Sequence, residues 1–246
     1  MIRRPPRSTL DRSSAASDVY KRQIMNMGQT RWYRKIKKDA TYCIGLDPSM
    51  GTGGDYAAIQ VFELPTYKQV GEWRHNQTPI PGQIRILKDI CDYVEKETGS
   101  SNSIYWSVEN NTLGEAALVV IQEVGEDHIP GQLVSQPRAA NRAYRKGFTT
   151  TNKTKLAACS KLKNWIETDK MEVSSNALLQ ELKTFIARGS SFSAKDGETD
   201  DLVMATVLVV RIAQQVAQYD ETAYDELKDS FADEDRVEPM PFVFLT

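Results

Sequence analysis

Histidine and cysteine are scarce in this 246-residue chain, with two of the first and three of the second. Cys43, Cys91 and Cys159 are odd in number and widely scattered, which offers neither a disulfide framework nor a zinc spacing and fits a reducing cytoplasm. His75 and His128 fall in a predicted strand end and a loop. Neither stands near a nucleophile, and Ser49 and Cys43 have no neighbouring base, so Ser/His/Asp and Cys/His chemistry is set aside. No apolar run approaches the length of a membrane span. A Gly-x-x-x-x-Gly-Lys-Ser/Thr phosphate loop is also missing: Gly51-Thr52-Gly53-Gly54 lacks the lysine, and no ATP site is expected in this polypeptide. The net charge of -2 argues against a chain that coats nucleic acid indiscriminately.

That near-neutral total hides a segregation. Arg138, Arg142, Arg145, Lys146, Lys153, Lys155, Lys161 and Lys163 come without an intervening acid, while Asp220 to Glu238 is opposed only by Lys228 and Arg236. At the other end, Met1 to Gln23 is rich in Arg and Ser and resembles translated sequencing-adapter read-through. It lacks the apolar stretch and cleavage site of a targeting peptide, and is expected to be a disordered, non-native leader on a fragment of a longer protein. Residues 24–40 read as a linker or the remnant of a missing upstream domain, 41–218 as one domain, and 219–246 as a mobile acidic tail with a short apolar end at Pro241 to Leu245.

Two apolar runs within Tyr42 to Phe62 flank a small-residue loop from Pro48 to Asp55, the pattern of a wide-tipped hairpin whose first strand ends in Asp47. Gln69 to Trp73 adds a third strand to this meander. Ile84, Leu87, Cys91 and Val94 mark a helix ending near Gly99, followed by a strand at Ser103 to Glu109. Leu113 to about Val124 is a helix with Ala117, Val120, Ile121 and Val124 on one side, and Gly131 to Ser135 is a strand. Thr154 to Thr168 is a helix with Leu156, Cys159, Leu162 and Ile166 inward. A short edge strand at Met171 to Val173 comes next, then a helix through Leu178, Leu182 and Phe185 that stops before Gly189. Ser190 to Thr199 reads as a polar loop, and Asp200 to about Ala217 as a helix apolar almost all round, which calls for burial against the sheet. This order predicts an α/β fold, a mixed sheet of an antiparallel meander plus parallel strands with helices on its faces.

Asp47 beside Cys43, Ile44 and Leu46 is carried toward a core, where an ionised carboxylate is costly unless a positive group answers it. Glu109 ends a second apolar strand, and Asp200 and Asp201 open the late apolar helix. Converging carboxylates raise one another's pKa unless a cation neutralises them, and oxygen ligands select Mg²⁺ or Mn²⁺. A pair of ions ~4 Å apart activates water in phosphodiester hydrolysis. Asp47 is then expected to bridge two ions, with Glu109 and Asp200 or Asp201 each holding one; Asp55 is a further ligand or orienting group. Each acid has a plain alternative: Asp47 as a turn former, Asp200 as a helix N-cap, Glu109 closing a strand into a turn with Asn110 and Asn111.

At these residues the chain resembles the nuclease domain of the tailed-phage terminase large subunit, a member of the RNase H-like fold family. The resemblance rests on Ile44-Gly45-Leu46-Asp47-Pro48 with Gly53-Gly54-Asp55-Tyr56-Ala57, on Val108-Glu109-Asn110-Asn111 with Gly114, on Gly147-Phe148-Thr149-Thr150 leading into Lys153-Thr154-Lys155, and on Gly197 with Asp200 to Ala205. It implies a metal-dependent endonuclease that cuts concatemeric double-stranded viral DNA during packaging in the cytoplasm of an infected bacterium, with portal and small terminase subunit as partners of the full-length protein. Asp47, Glu109 and Asp200 or Asp201 become its catalytic acids. Thr199 stands where many relatives carry histidine. Arg138, Arg142, Arg145, Lys146, Lys153 and Lys155 would neutralise DNA phosphates, with affinity that falls as salt rises, the plain alternative being a solvated helix face and loop; Tyr144 stands among them either to stack on sugar or base or to pack. The rival readings are a junction-resolving nuclease of the same fold, an actin-like or sugar-kinase phosphotransferase, which needs a second glycine-rich phosphate loop, and a non-catalytic packaging module.

Overall fold

A computed structural model of the chain describes residues 30–136, 146–188 and 191–234, the stretch from 219 onward by its backbone alone. The predicted leader, Pro241 to Leu245, Arg138, Arg142, Tyr144 and Arg145 lie outside the described residues.

A six-stranded sheet carries the domain: β1 (Arg31–Trp32), β2 (Thr41–Asp47), β3 (Ala57–Leu64), β4 (Lys68–His75), β5 (Ile104–Val108) and β6 (Gln132–Leu133), in the spatial order β1-β4-β3-β2-β5-β6. β2, β3 and β4 form the antiparallel meander, while β5 pairs parallel to β2 and β6 parallel to β5. The change from antiparallel to parallel pairing occurs at β2, so that strand has β3 on one side and β5 on the other.

Alternation along β2 and β5 divides the core in two. Tyr42, Ile44 and Leu46 with Ile104, Trp106 and Val108 face α1 (Ile80–Thr98) and α2 (Thr112–Val124). Cys43 and Tyr105 face the opposite way, toward α3 (Asn152–Glu167), α4 (Asn176–Thr184) and α5 (Asp201–Glu234). The predicted layered mixed sheet is therefore present. α1 ends where its pattern predicts, with Gly99 in the left-handed conformation at its C-terminus.

α5 lies directly on β2 because of Gly45. A Cβ there would sit 2.8 Å from the Ala205 carbonyl oxygen and 3.2 Å from Val209 Cγ2. Only a residue without a side chain lets backbone meet backbone at that spacing.

Several expectations give way to the structure. Part of 24–40, with the composition of a linker, is sheet: Arg31–Trp32 pairs with Glu72 and Gly71 of β4, and the Trp32 ring covers Gly71. The polar stretch after α4 is a hairpin, β7 (Phe185–Arg188) with β8 (Ser191–Ala194), so Phe185 opens a strand rather than closing a helix. Glu172 makes an isolated bridge to Lys68 in place of an edge strand at Met171 to Val173. Leu156 is exposed, as is Val124; Ala158, Cys159, Leu162 and Trp165 are the residues of α3 that point inward. α5 runs on to Glu234, past the expected start of a mobile tail, as 219–234 contains no Pro or Gly to end the helix.

Candidate metal centre

β2 and β5 are parallel neighbours in the register Leu46↔Val108, and the Glu109 amide donates to the Leu46 carbonyl at 3.0 Å. One residue further along both strands stand Asp47 and Glu109. Counting by two from Cys43 and Tyr105 puts both acids on the face covered by α5. Their carboxyl groups meet within hydrogen-bonding range. Glu109 is buried and Asp47 half-buried: protein crowds the Asp47 carboxylate on most sides and leaves an opening to solvent.

The residues after Glu109 are employed elsewhere. Asn111 caps α2, its Oδ1 accepting from Leu113 and Gly114 amides at 3.1 and 3.0 Å. Gly114 is needed at that spot, since a Cβ would fall 1.7 Å from the Glu109 carbonyl oxygen. Asn110 donates through Nδ2 to the Lys146 carbonyl at 2.8 Å and through its amide to the Phe148 carbonyl at 2.8 Å. The turn that is the plain alternative for Glu109 is thus built by Asn110 and Asn111, and the Glu109 side chain has no part in these bonds.

The late acids arrive on the first turn of α5. As an N-cap, Asp200 would take that helix's first amides on its carboxylate. Glu181 of α4 does so instead, with Oε2 accepting from Leu202 and Val203 amides at 2.8 and 3.2 Å. Asp200 accepts from the Ala194 amide at 3.3 Å, and Asp201 accepts from the Tyr56 amide. Both late acids act electrostatically on Asp47, Asp201 the more strongly. Asp55 is exposed in the hairpin loop and interacts with Asp201.

A family model described as the terminase RNase H-like domain matches residues 44–211, a span that contains all of these acids. The chain belongs to that family. Its fold is similar to the large terminase nuclease of thermophilic phage G20c with bound magnesium, at 20% identity and a TM-score of 0.56 over 75% of this chain and 87% of that one. The cobalt-bound form of the same nuclease aligns with a TM-score of 0.57 at 19% identity, over 75% of this chain and 87% of that one. The large terminase nuclease domain of Thermus phage P74-26 aligns with a TM-score of 0.53 at 21% identity, over 74% and 84% of the two chains.

In this terminase RNase H-like domain, the electrostatics describe a centre short of positive charge. Asp47 is pushed well above the ordinary carboxylate range, first by burial and then by Glu109, Asp201 and Asp200. Asp201 is pushed up to about 7, by burial and by the charges of Glu181 and Asp200, against the opposing Tyr56 amide. Among the described residues no three such groups already stand at the spacing of a closed ligand set. The donor chemistry nevertheless fits a hard divalent cation: a close pair of carboxylates, further carboxylates beside them, oxygen ligands throughout.

Two residues of the RNase H-like domain escape the sequence reading. Glu181 is one, and its signal is a charge at helical spacing between Leu178 and Phe185, on the inward side of α4. Arg211 is the other, a lone cation in the apolar run of α5. Its guanidinium stacks on Phe148 at 4.6 Å, donates to the Thr149 carbonyl at 3.3 Å and interacts electrostatically with Glu109. Burial lowers its pKa to about 10, which leaves it charged at neutral pH.

The basic run is less free in space than along the chain. Lys146 pairs with Glu126 and Lys163 with Glu167 at 3.6 Å, so acids absent from the run come from elsewhere. Lys155 lies 5.7 Å from the Phe185 ring centroid, and Lys153 is exposed at the start of α3. His75 bonds the Thr78 hydroxyl at 2.7 Å, away from the acids. A wide cleft of about 1020 Å³ lined by Asp92, Glu95, Glu126 and His128 also takes in Tyr105 and Gln132, so it lies toward the opposite end of β5 from Glu109.

Proposed function

We propose that the chain is the nuclease part of a terminase large subunit and hydrolyses the backbone of double-stranded DNA, cutting concatemeric viral DNA during packaging. The observation that carries this reading is the Asp47–Glu109 pair at the ends of adjacent parallel strands, with Asp201 beside it on α5. Mg²⁺ or Mn²⁺, as a pair of ions, would be held by Asp47, Glu109 and Asp201, with Asp200 and Asp55 flanking them. Bound there, such ions supply an activated water and charge stabilisation for the leaving oxygen. Asp47, open on one side to solvent, would hold metal together with Glu109 and Asp201. Glu109, buried and rigid on the sheet, orients one half of the site; Asp201, held by the Tyr56 amide, orients the other. Lys153 and Lys155, together with Lys146, Arg138, Arg142 and Arg145, neutralise phosphates of the bound duplex. The large terminase nuclease that binds magnesium supports the choice of ion.

The full-length protein would work with portal and small terminase subunit in the cytoplasm of the infected bacterium. No helix among the described residues is long and apolar enough to cross a membrane. Supercoiled-plasmid cleavage in Mg²⁺ and in Mn²⁺, compared with chelator and with Asp47→Ala and Glu109→Ala proteins, tests the reading. Cleavage that persists in both variants removes Asp47 and Glu109 from the catalytic role, and a wild type that never cuts leaves a packaging module without catalysis. Branched substrates cut in preference to linear ones would point to the junction-resolving alternative.

A further inference from the structure

We infer that Glu181 is a positioning residue for the metal centre, holding the first turn of α5 so that Asp201 is presented to Asp47; this rests on the metal-dependent reading above. Glu181 is 4% exposed, and both of its oxygens are engaged on different elements. Oε2 takes the Leu202 and Val203 amides at 2.8 and 3.2 Å, the residues immediately after Asp201. Oε1 takes the Thr199 hydroxyl at 3.0 Å and the Arg74 guanidinium at 2.6 Å. Arg74 belongs to β4, and its guanidinium also lies 4.6 Å from the centroid of the Tyr56 ring. Tyr56 is the residue whose amide Asp201 accepts. One carboxylate therefore ties the start of α5 to the same stretch of chain that receives Asp201.

The support behind Glu181 is equally definite. Gln69 Oε1 accepts from both Ser174 and Ser175 amides at 2.8 Å, and Ser175 Oγ caps α4 by accepting from the Leu178 amide at 3.0 Å. The sheet seats α4, α4 carries Glu181, and Glu181 seats α5. Were Asp200 the cap, its carboxylate would be turned to the helix amides. With Glu181 in that role, the Asp200 carboxylate turns to the Ala194 amide instead, and Asp201 is left to act on Asp47.

The test compares the full wild-type chain with Glu181→Gln. Glutamine has one acceptor oxygen, so it keeps either the α5 amides or the Thr199–Arg74 side, but not both. Circular dichroism and melting verify the fold, Mn²⁺ affinity is read by calorimetry and by electron paramagnetic resonance, and plasmid cleavage gives kcat and KM. The expected result is a folded variant with Mn²⁺ affinity down about 10-fold and kcat reduced at unchanged KM for DNA. Should Glu181→Gln prove unfolded, Thr199→Val, which removes a single donor, is expected to move Mn²⁺ affinity in the same direction. A lower melting temperature with unchanged Mn²⁺ affinity and kcat overturns the inference and leaves a structural cap. Wild type that binds Mn²⁺ without cutting, with affinity lost in Glu181→Gln, sinks the nuclease reading and keeps this one. Wild type that binds no Mn²⁺ overturns both.

Discussion

Replacing Asp201 by Asn is expected to stabilise the metal-free protein, and to do so only above mildly acidic pH. The folded-state pKa of Asp201 is about 7 against an ordinary 3.8. A carboxyl group with a raised folded pKa binds more protons in the folded state than in the unfolded state between those values. Stability is therefore fully present below the ordinary value and is lost as pH rises toward the folded one. A rise of about three pH units corresponds to ~4 kcal/mol as an upper bound. Asp201 stays partly open to water, and screening brings that down to about 2 kcal/mol. Asparagine forfeits the favourable interaction of a carboxylate with the start of α5, ~0.5 kcal/mol, and its Oδ1 can still accept from Tyr56. A net gain of about 1.5 kcal/mol raises the melting temperature by roughly 3–6 °C for a domain of this size.

The assay is thermal unfolding in chelator from about pH 5 to about pH 8, wild type against Asp201→Asn. The wild-type melting temperature should fall across that range more than the variant's, with the two curves closest at the acid end. Divalent cation should then raise the wild type more than the variant if the proposed ligand set of Asp47, Glu109 and Asp201 holds it. An Asn variant that melts below wild type near pH 8, or a gap that does not change with pH, would refute the idea that burial and like charge dominate at this position.

Gly45→Ala should cost about 1–3 kcal/mol in urea denaturation, since its Cβ must displace either β2 or α5; a neutral result would mean the helix moves away freely. Glu109→Gln should leave the fold intact and reduce plasmid cleavage at least ~100-fold, more than is usual for the loss of a group behind a metal ligand. Arg211→Met should lower stability by about 1–2 kcal/mol, through loss of the Phe148 stack and the hydrogen bonds to Thr149, Thr150 and Gln136, as read by chemical denaturation. Lys153→Glu with Lys155→Glu should weaken duplex binding and flatten its dependence on log salt by roughly 1 for each phosphate no longer neutralised; an unchanged slope would remove these lysines from the DNA surface.

Period-two alternation makes much of this site legible. Tyr42, Ile44 and Leu46 against Cys43, Gly45 and Asp47 already divide β2 into two faces, and Ile104, Trp106 and Val108 do the same for β5. What alternation cannot supply is the pairing of β2 with β5, because register is a property of two strands and not of either one. The hairpin β7–β8 has the composition of a loop, because Ser191–Ala194 carries little beyond Phe192 to mark a strand. Its pairing is accompanied by stacking of Phe185 on Phe192, 5.9 Å between ring centroids. β1 is too short to show any period, yet Gly71 leaves room for the Trp32 ring. Leu156 has a spacing that suits an inward position, but Ala158 and Trp165 fill that side of α3. Glu181 and Arg211 escape notice for a common reason. Each is a charge set among apolar residues whose partners lie far away along the chain, and nothing local announces them.

The order of assembly follows from where the acids sit. Asp47 and Glu109 come together as soon as β5 joins β2, but the third acid rides on the last described helix, which must cross Gly45 before it can contribute. During synthesis the sheet emerges first and that helix much later. A chain still leaving the ribosome, or one truncated before α5, would carry Asp47 and Glu109 but lack the means to complete its acidic centre.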